Sequence, residues 1–497
     1  MKQFIIVLFL LVAFCSQAGA QSKGYQYRVK IKGLQTGDTC FLANYYGNKQ
    51  YLADTAIIDG KGWLTYEGKE PLPAGLYLVV LPSKTYFEFV INEPQFSLET
   101  DTLNFVTAMK VIGSEENRIF YEFLKFSGSR QGQMQELGKV YPRYREEGKT
   151  DSMDYVQRTY TALEKEVNDY KEKIYKEHPD KLITKIFIAM KDPEIPEPTP
   201  GPDGKIDSTF KYRFYKDNYF KYMSLEDERL LRSPVFHNKL NYFFTKVLPQ
   251  IPDTLIKEAD RVIQMTNGNK ETFKYVVFYL TNTYETSEIM GMDAVFVHMA
   301  NTYYKTGRAY WVDTTQVRKI GERADILGPL LIGKVAPNLT LPDTLNKPQT
   351  LHAINKPHTI LVFWDPKCGH CKTTIPKLYA LHDSLLKHGH AVETYSVCIE
   401  PDEKTLNDFI RENKLTWINV HVLEPKWENY QKFYDANGLD YIKNKYLVDQ
   451  LNLRIGYDIY STPVIYLLDE KKQILAKKLD VEGLRELLKY RYEQGFK

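Results

Sequence analysis

The sequence predicts a multidomain protein with an N-terminal β-sandwich-like domain, a central all-α domain and a C-terminal α/β domain. Three observations predict this layout: period-two apolar runs over residues 24–112, long charged helical stretches over 114–325, and alternating strand and helix patterns over 333–497. A chain of 497 residues is long enough for about three domains.

Composition excludes several classes of protein. Hydrophobic residues make up 43% of the chain, which excludes disorder of the whole chain. The net charge is +3, from 66 basic and 63 acidic side chains. Nucleic-acid binding usually needs a strongly basic face, so we expect no nucleic-acid partner.

Residues 1–20 have the pattern of a secretory signal peptide. Lys2 is followed by an eleven-residue apolar run, Phe4 to Phe14, and by the small residues Ala18-Gly19-Ala20. The run is shorter than the roughly twenty residues that span a bilayer, and no later segment is long and apolar enough. We therefore expect an exported protein that is not transmembrane. Lipidation at Cys15 remains an alternative.

Residues 24–112 have the pattern of short strands. Tyr25 to Ile31 alternates apolar and polar residues, and Leu76 to Leu81 and Tyr86 to Ile91 are apolar, β-prone runs. Turn residues such as Asp59-Gly60 separate them. This spacing predicts a small antiparallel sandwich.

Residues 114–325 have the pattern of helices. Met153 to His178 contains neither Gly nor Pro, and further helices are predicted around 225–248, 254–266, 270–286 and 292–306. Five prolines between residues 192 and 204 predict an extended loop. We expect no catalytic constellation here, and His298 is predicted to be a packed histidine.

Residues 333–497 alternate strands and helices. Strands are predicted at Thr359 to Trp364, Val392 to Ile399 and Trp417 to Val422, and a hairpin and a final helix follow from Val464 onward. A helix is predicted from about Cys368 to Lys387. The order predicts an α/β module.

The candidate site is the motif Cys368-Gly369-His370-Cys371 at the start of that helix. Unpaired backbone N–H groups and the helix dipole favour an anion there, so the pKa of Cys368 should be lowered. Cys371 lies one turn further along the helix. Chain direction therefore predicts that Cys368 attacks a substrate and Cys371 resolves, while Lys367 and His370 add positive or donor character.

The residues around the motif do not fit the other sites that paired cysteines can form. A zinc site would need a second ligand pair, and none follows at suitable spacing. Haem attachment needs His after the second Cys, where Lys372 stands. A peroxidatic cysteine would need Thr or Ser where Asp365 stands. Dithiol redox chemistry is favoured over a structural disulfide, and we expect no metal and no cofactor.

With these residues named, the region 333–497 resembles the thioredoxin superfamily, in its exported TlpA/ResA-like branch. The matching segments are Gly333 to Leu339, Phe363 to Lys372 including Trp364, the helix proline Pro376, and Ser461-Thr462-Pro463-Val464. The resemblance implies a thioredoxin fold, thiol–disulfide oxidoreductase activity and a cis Thr462–Pro463 bond. It also implies that Thr462 and Pro463 face the dithiol and bind substrate.

The resemblance extends to location and partners. Residues 24–112 and 114–325 resemble, more weakly, the uncharacterised β-rich and helical domains that precede thioredoxin modules in Bacteroidetes envelope proteins. The resemblance implies the periplasm or cell envelope of a Gram-negative bacterium, protein thiol or disulfide clients, and an unidentified envelope redox partner. The alternatives are a scaffold protein with a vestigial thioredoxin module and a thiol peroxidase.

This sequence departs from the family pattern in two places. The acid that many thioredoxins bury beneath the site falls at Val362, and Glu400 is a candidate substitute. A helical insertion is expected around 424–456, where we expect Trp427, Tyr430, Phe433 and Tyr434 to pack rather than face substrate. Cys40 and Cys398 are expected to be buried free cysteines.

The redox direction is predicted from two opposing indications. The exported branch is usually reductive, whereas Gly369-His370 is the dipeptide of protein disulfide isomerases. A thiolate stabilised by His370 and, more weakly, by Lys367 would make the disulfide a stronger oxidant. We therefore expect a reduction potential above that of a thioredoxin.

The cleavage pattern generates a first prediction. Processing after Ala20 should leave a mature chain that begins near Gln21. N-terminal sequencing of the processed protein measures this directly, and an N-terminus at a lipid-bearing Cys15 would contradict it.

Overall fold

The structure is a computed structural model that describes residues 24–400, 402–423, 427–438 and 456–493. The predicted signal peptide and Cys15 lie outside the described residues. The chain divides into two compact units, Met1–Val247 and Leu248–Lys497. The boundary falls within the helical region 114–325, so some helices belong to each unit.

The first unit contains two four-stranded sheets, one in the order β4-β1-β7-β8 and the other in the order β3-β2-β5-β6. Their strands are β1 (Tyr25–Lys32), β2 (Thr39–Tyr46), β3 (Lys49–Ile57), β4 (Trp63–Gly68), β5 (Gly75–Val80), β6 (Tyr86–Ile91), β7 (Gln95–Asp101) and β8 (Lys110–Ile112).

Strand β1 shows how alternate residues of this sequence form a sheet with one buried face. Its alternate residues Tyr27, Val29 and Ile31 are buried, as the period-two pattern predicts. β1 pairs antiparallel with β4 but parallel with β7. The prediction of a purely antiparallel sandwich is therefore wrong at this pair, because the strands between β1 and β7 supply the crossover that a parallel pair requires.

Helices follow the strands and continue across the boundary between the units. They are α1 (Glu115–Glu146), α2 (Thr150–Glu177), α3 (Leu182–Ala189), α4 (Phe210–Asn218) and α5 (Pro234–Tyr242) in the first unit, and α6 (Pro252–Gln264), α7 (Lys270–Glu285), α8 (Asp293–Met299) and α9 (Thr314–Leu327) in the second.

One of the predicted helices differs from the structure. The predicted helix over 225–248 is a short 3-10 turn, Glu228–Arg232, followed by α5 and a π-helix, Phe243–Val247. Pro234 occupies the first turn of α5, where it has no N–H to contribute to a continuous helix. Helix α1 passes through Pro142.

The rest of the second unit is an α/β domain. A hairpin, β9 (Thr340–Pro342) with β10 (Pro348–Thr350), precedes a five-stranded sheet in the order β13-β12-β11-β14-β15. Its strands are β11 (His358–Trp364), β12 (Val392–Cys398), β13 (Ile418–His421), β14 (Val464–Asp469) and β15 (Ile474–Lys477), and its helices are α10 (Gly369–Lys387), α11 (Glu403–Asn413), α12 (Trp427–Ala436) and α13 (Val481–Glu493).

Central strand β11 is buried along its whole length. Its residues alternate between two cores: Leu361 and Phe363 face one, while Ile360, Val362 and Trp364 face the other. β11 runs parallel to β12 and antiparallel to β14. This arrangement brings the end of β11 beside the start of β14, where the site lies.

Part of the predicted insertion is described. α12 lies within it, and Phe433 and Tyr434 are buried in the core that includes Leu361 and Phe363, as expected. The side chains of Trp427 and Tyr430, and residues 439–455, lie outside the described part. Among the described helices, none is both long and apolar enough to cross a membrane.

Candidate active site

The turn between β11 and α10 presents Cys368. Asp365 organises this turn, because its carboxylate accepts a hydrogen bond from the Lys367 N–H (2.7 Å) and its carbonyl accepts one from the Cys368 N–H (3.1 Å). Cys368 is the N-cap residue of α10, with extended backbone angles. Its sulfur therefore lies at the end of the helix where backbone N–H groups lack intrahelical partners.

The two cysteines differ in exposure. Cys368 is half-buried, whereas Cys371 is 0% exposed and packs in a core with Ile375. The backbone N–H of Asp365 donates to the Cys371 sulfur at 3.5 Å. Both cysteines are free thiols. Of the two sulfurs, only that of Cys368 is open to a large substrate.

Electrostatics separate the two thiols further. Desolvation alone would raise the pKa of Cys368, but hydrogen bonds from the Cys371 and His370 backbone N–H groups and from the Thr462 and Cys371 side chains lower that pKa overall. Desolvation raises the pKa of Cys371 to about 11. At neutral pH Cys368 is thus the better source of thiolate.

The loop before β14 completes the site. The Thr462–Pro463 bond is cis, which confirms the sequence prediction. The Thr462 carbonyl oxygen lies 3.5 Å from the Cys368 sulfur, although the two residues are 94 positions apart. The fold thus brings together Cys368, Cys371, Thr462 and Pro463.

The side chains of His370 and Lys367, which were predicted to stabilise the Cys368 thiolate, do not contact its sulfur among the described contacts. The His370 side chain is exposed, and within the described residues its ring makes no hydrogen bond to the Cys368 sulfur; the part of His370 that lowers the pKa of Cys368 is its backbone N–H. The Lys367 ammonium lies 3.3 Å from a Glu400 oxygen and 3.8 Å from an Asp402 oxygen. Its charge is therefore held by carboxylates rather than directed at the thiolate.

Two other predicted site residues are structural. Trp364 is fully buried, donates to the Ser396 hydroxyl at 2.7 Å and packs against Phe409. Pro376 lies inside α10, where it cannot donate the hydrogen bond that the Lys372 carbonyl would otherwise accept. Gly369 is exposed, and no atom lies within 4 Å of where a Cβ would stand. The fold therefore does not require glycine there for steric reasons.

Glu400, the candidate substitute for the buried acid, is paired with Lys367. Val362 is fully buried and lies in the same core as Cys371, so no acid occupies that position. The Glu400 carboxylate pairs with Lys367 at the surface side of the strand end. This pairing explains why Glu400 is a poor substitute for a buried acid.

Cys398 is a buried neighbour of the site. It is 0% exposed and lies opposite Trp364 in the β11–β12 register. Desolvation raises its pKa to about 12. A thiol of this kind is inert at neutral pH, in agreement with the expectation of a buried free cysteine.

Asp365 is the site residue whose role the sequence analysis missed. It entered only as an argument against peroxidase chemistry, yet it caps the turn and contacts the Cys371 sulfur through its backbone. The Asp-Pro-Lys order after a buried strand is a signal for such a turn. Among the residues that the structure describes, no cluster of three or more His, Cys, Asp or Glu could hold a metal ion.

Comparisons with known proteins follow the same division of the chain. Residues 332–477 match the model of the AhpC/TSA family, and residues 25–120 match a domain of unknown function, DUF4369. Among proteins with curated descriptions, none matches.

Three solved structures illustrate the similarity. A domain of possible thiol-disulfide isomerase from Cytophaga hutchinsonii is 35% identical, with coverage of 34% of this chain and 99% of that chain and a TM-score of 0.26. A thioredoxin-like protein from Bacteroides caccae is 18% identical, with coverage of 60% and 99% and a TM-score of 0.42. The thioredoxin domain of a thiol-disulfide oxidoreductase from Bacteroides vulgatus is 20% identical, with coverage of 32% and 96% and a TM-score of 0.25.

The Cytophaga domain is matched over nearly its whole length at an identity that establishes kinship. Together with the AhpC/TSA match, this shows that the chain belongs, through its C-terminal domain, to the thioredoxin-like thiol–disulfide oxidoreductase family.

Proposed function

We propose that the protein is an exported thiol–disulfide oxidoreductase that exchanges disulfides with envelope proteins through Cys368 and Cys371. The observation that carries the proposal is the pairing of a half-buried N-cap thiol of lowered pKa with a buried thiol one turn along the same helix. Catalysis would belong to the domain over 333–497, following a signal peptide over 1–20 and domains over 24–112 and 114–325.

The exchange needs only the two cysteines and a client. The Cys368 thiolate attacks a client disulfide, forms a new S–S bond with one client sulfur and releases the other as a thiolate. Cys371 then loses its proton, attacks the Cys368 sulfur and releases the second client thiolate. The client gains two electrons, the dithiol becomes a disulfide, and the reverse sequence oxidises a client dithiol.

Burial of Cys371 slows the second step, in which Cys371 attacks the mixed disulfide. Its pKa is raised to about 11, so only a small fraction is thiolate at neutral pH. We therefore propose that the mixed disulfide is the long-lived intermediate. An envelope redox partner would return the dithiol to its starting state, because each exchange leaves the Cys368–Cys371 pair in the opposite oxidation state.

The cis-proline loop is proposed to bind the client backbone. In the free protein the Cys368 thiol donates to the Thr462 carbonyl at 3.5 Å. Once Cys368 is a thiolate it has no proton to donate, and the carbonyl can accept a hydrogen bond from a client N–H. An extended client strand beside Thr462 and Pro463 would thereby hold its disulfide next to Cys368.

A thiol peroxidase is the second candidate, because the AhpC/TSA family model matches this region. The residue three positions before Cys368 argues against it. Asp365 carries a carboxylate whose oxygen accepts from the Lys367 N–H. A carboxylate cannot donate a hydrogen bond to a peroxide oxygen as a hydroxyl can.

One pair of assays tests the proposed function. The reduced protein should accelerate insulin reduction by dithiothreitol and should not accelerate peroxide consumption by the same reductant. Peroxide consumption without insulin reduction would support the peroxidase. Absence of both activities would support a scaffold protein with a vestigial module.

Exchanging each cysteine for serine tests their roles. Cys371→Ser should accumulate mixed disulfides with clients, because Cys368 still attacks but nothing resolves the bond. Cys368→Ser should trap at least about tenfold less, since the remaining thiol is buried and protonated. Non-reducing electrophoresis of the trapped species provides the measurement. Cys398→Ser is the matched control and should behave like the unmodified protein; equal trapping by the two site variants would refute the roles.

Two substitutions at His370 distinguish the effect of its ring on Cys368 from the effect of its backbone N–H. The rate of Cys368 alkylation by iodoacetamide, followed against pH, should reach its midpoint below that of an unperturbed cysteine, because a lowered pKa moves thiolate formation to lower pH. His370→Pro removes the ring and the N–H that lowers the pKa of Cys368, so the midpoint should rise and the reduction potential should fall. Each unit of pKa corresponds to about 30 mV for this two-electron couple.

His370→Ala is the matched control for that prediction. It removes the ring but keeps the backbone N–H, so the midpoint and the potential should stay close to those of the unmodified protein. A shift in His370→Ala as large as that in His370→Pro would show that the ring, rather than the helix backbone, tunes Cys368.

A further inference from the structure

Asp458 is a buried acid close to the cis-proline loop. Its side chain is 3% exposed, and it lies four positions before Thr462. Its backbone has φ +56°, the left-handed region that residues other than Gly seldom adopt. The residue before it, Tyr457, is buried and accepts a hydrogen bond from the Tyr466 hydroxyl at 3.0 Å. The loop therefore begins from a tightly held point.

The carboxylate of Asp458 is paired with a helix outside the α/β fold. Arg323, on α9, donates from both terminal nitrogens to the two carboxylate oxygens; the Nη2–Oδ2 distance is 3.1 Å. The Lys478 ammonium lies 3.4 Å from Oδ2 and is itself largely exposed. α9 belongs to the same compact unit as the site, and its residues Ala324 and Leu327 are buried.

A buried carboxylate must be paired to remain charged inside a protein. The planar guanidinium of Arg323 fixes both the distance and the plane of the carboxylate, which a single-point contact from lysine cannot do. Only residues 459–461 separate Asp458 from Thr462, and Ile459 is itself buried. Tyr460 and Ser461 are exposed, so the coupling depends on the shortness of the segment and on its buried first residue: a displacement of Asp458 is passed through three residues to the carbonyl that faces Cys368.

We propose that Arg323 is a positioning residue that, through Asp458, holds the Thr462–Pro463 loop at its place beside Cys368. This rests on the proposed function, in which Thr462 binds the backbone of a protein client. Helix α9 thereby controls how well an extended client is held. The ionised Cys368 sulfur itself does not need Arg323 for its attack on a small reagent, although Thr462 contributes with the Cys371 and His370 N–H groups to the lowered pKa of Cys368.

The test compares two reactions of the same sulfur. Arg323→Met should lower kcat/KM for a disulfide-linked fluorescent peptide by about tenfold, mainly through KM, since small misplacements of binding groups are costly. Measured at a pH high enough to ionise Cys368 fully in every variant, the rate of its alkylation by iodoacetamide should stay within about twofold, because that reagent needs no backbone partner in the loop. Arg323→Lys should restore part of the loss. Arg318→Met is the matched control, because Arg318 lies on the same helix and pairs only with the exposed Glu322 among the described contacts.

A second variant keeps the proposal testable if Arg323→Met unfolds. Asp458→Asn preserves shape and tolerates the left-handed backbone, so it should fold and reproduce the KM defect. The double variant Arg323→Met/Asp458→Asn should lose no more kcat/KM than the more impaired of the two single variants, as expected when both substitutions remove one shared interaction. Unchanged KM in Arg323→Met and Asp458→Asn, or an equal loss of alkylation and exchange, would overturn the proposal. If the unmodified protein did not reduce the peptide, the proposed function itself would fail, which is a different result.

Discussion

The electrostatic effect of the first N–H groups of α10 on the Cys368 sulfur is the interaction on which the rest of the site depends. It arises because Cys368 is the N-cap residue, and Asp365 closes the turn after β11 that places it there. Desolvation works against the thiolate, and the backbone donors outweigh it. Every other part of the site either supports this arrangement or controls what approaches it.

Burial makes the two cysteines unequal. Cys371 lies in an apolar core beside Val362 and Trp364, where its pKa is raised and its sulfur is shielded. A client can reach only Cys368, so the order of attack and resolution is built into the packing. The same apolar surroundings keep Cys398 protonated and inert. Three cysteines within one domain thus acquire different reactivity from their positions in the fold.

The residues outside the α/β domain enter the chemistry through contacts with its loops. The buried pair between Arg323 and Asp458 joins α9 to the segment that leads into Thr462. A buried charged pair of this kind fixes the position of the loop more than it stabilises the fold, because the free energy lost on desolvating the two ions is about as large as the free energy gained from their attraction. The helices over 248–331 are therefore more than a spacer before the α/β domain.

Local pattern alone determined much of this protein. Period-two and strand–helix alternation predicted the strands of the sandwich and the order of the α/β domain, and Cys368 and Cys371 were identified from a short motif. Such features depend on neighbours within a few positions. The resemblance to the thioredoxin superfamily, rather than local pattern, implied the cis Thr462–Pro463 bond. Pairings across long separations were decided only by the tertiary structure: the parallel β1–β7 pair, Lys367 with Glu400, and Arg323 with Asp458. The direction of a charged side chain depends on which distant carboxylate the fold brings near it, and no local periodicity contains that information.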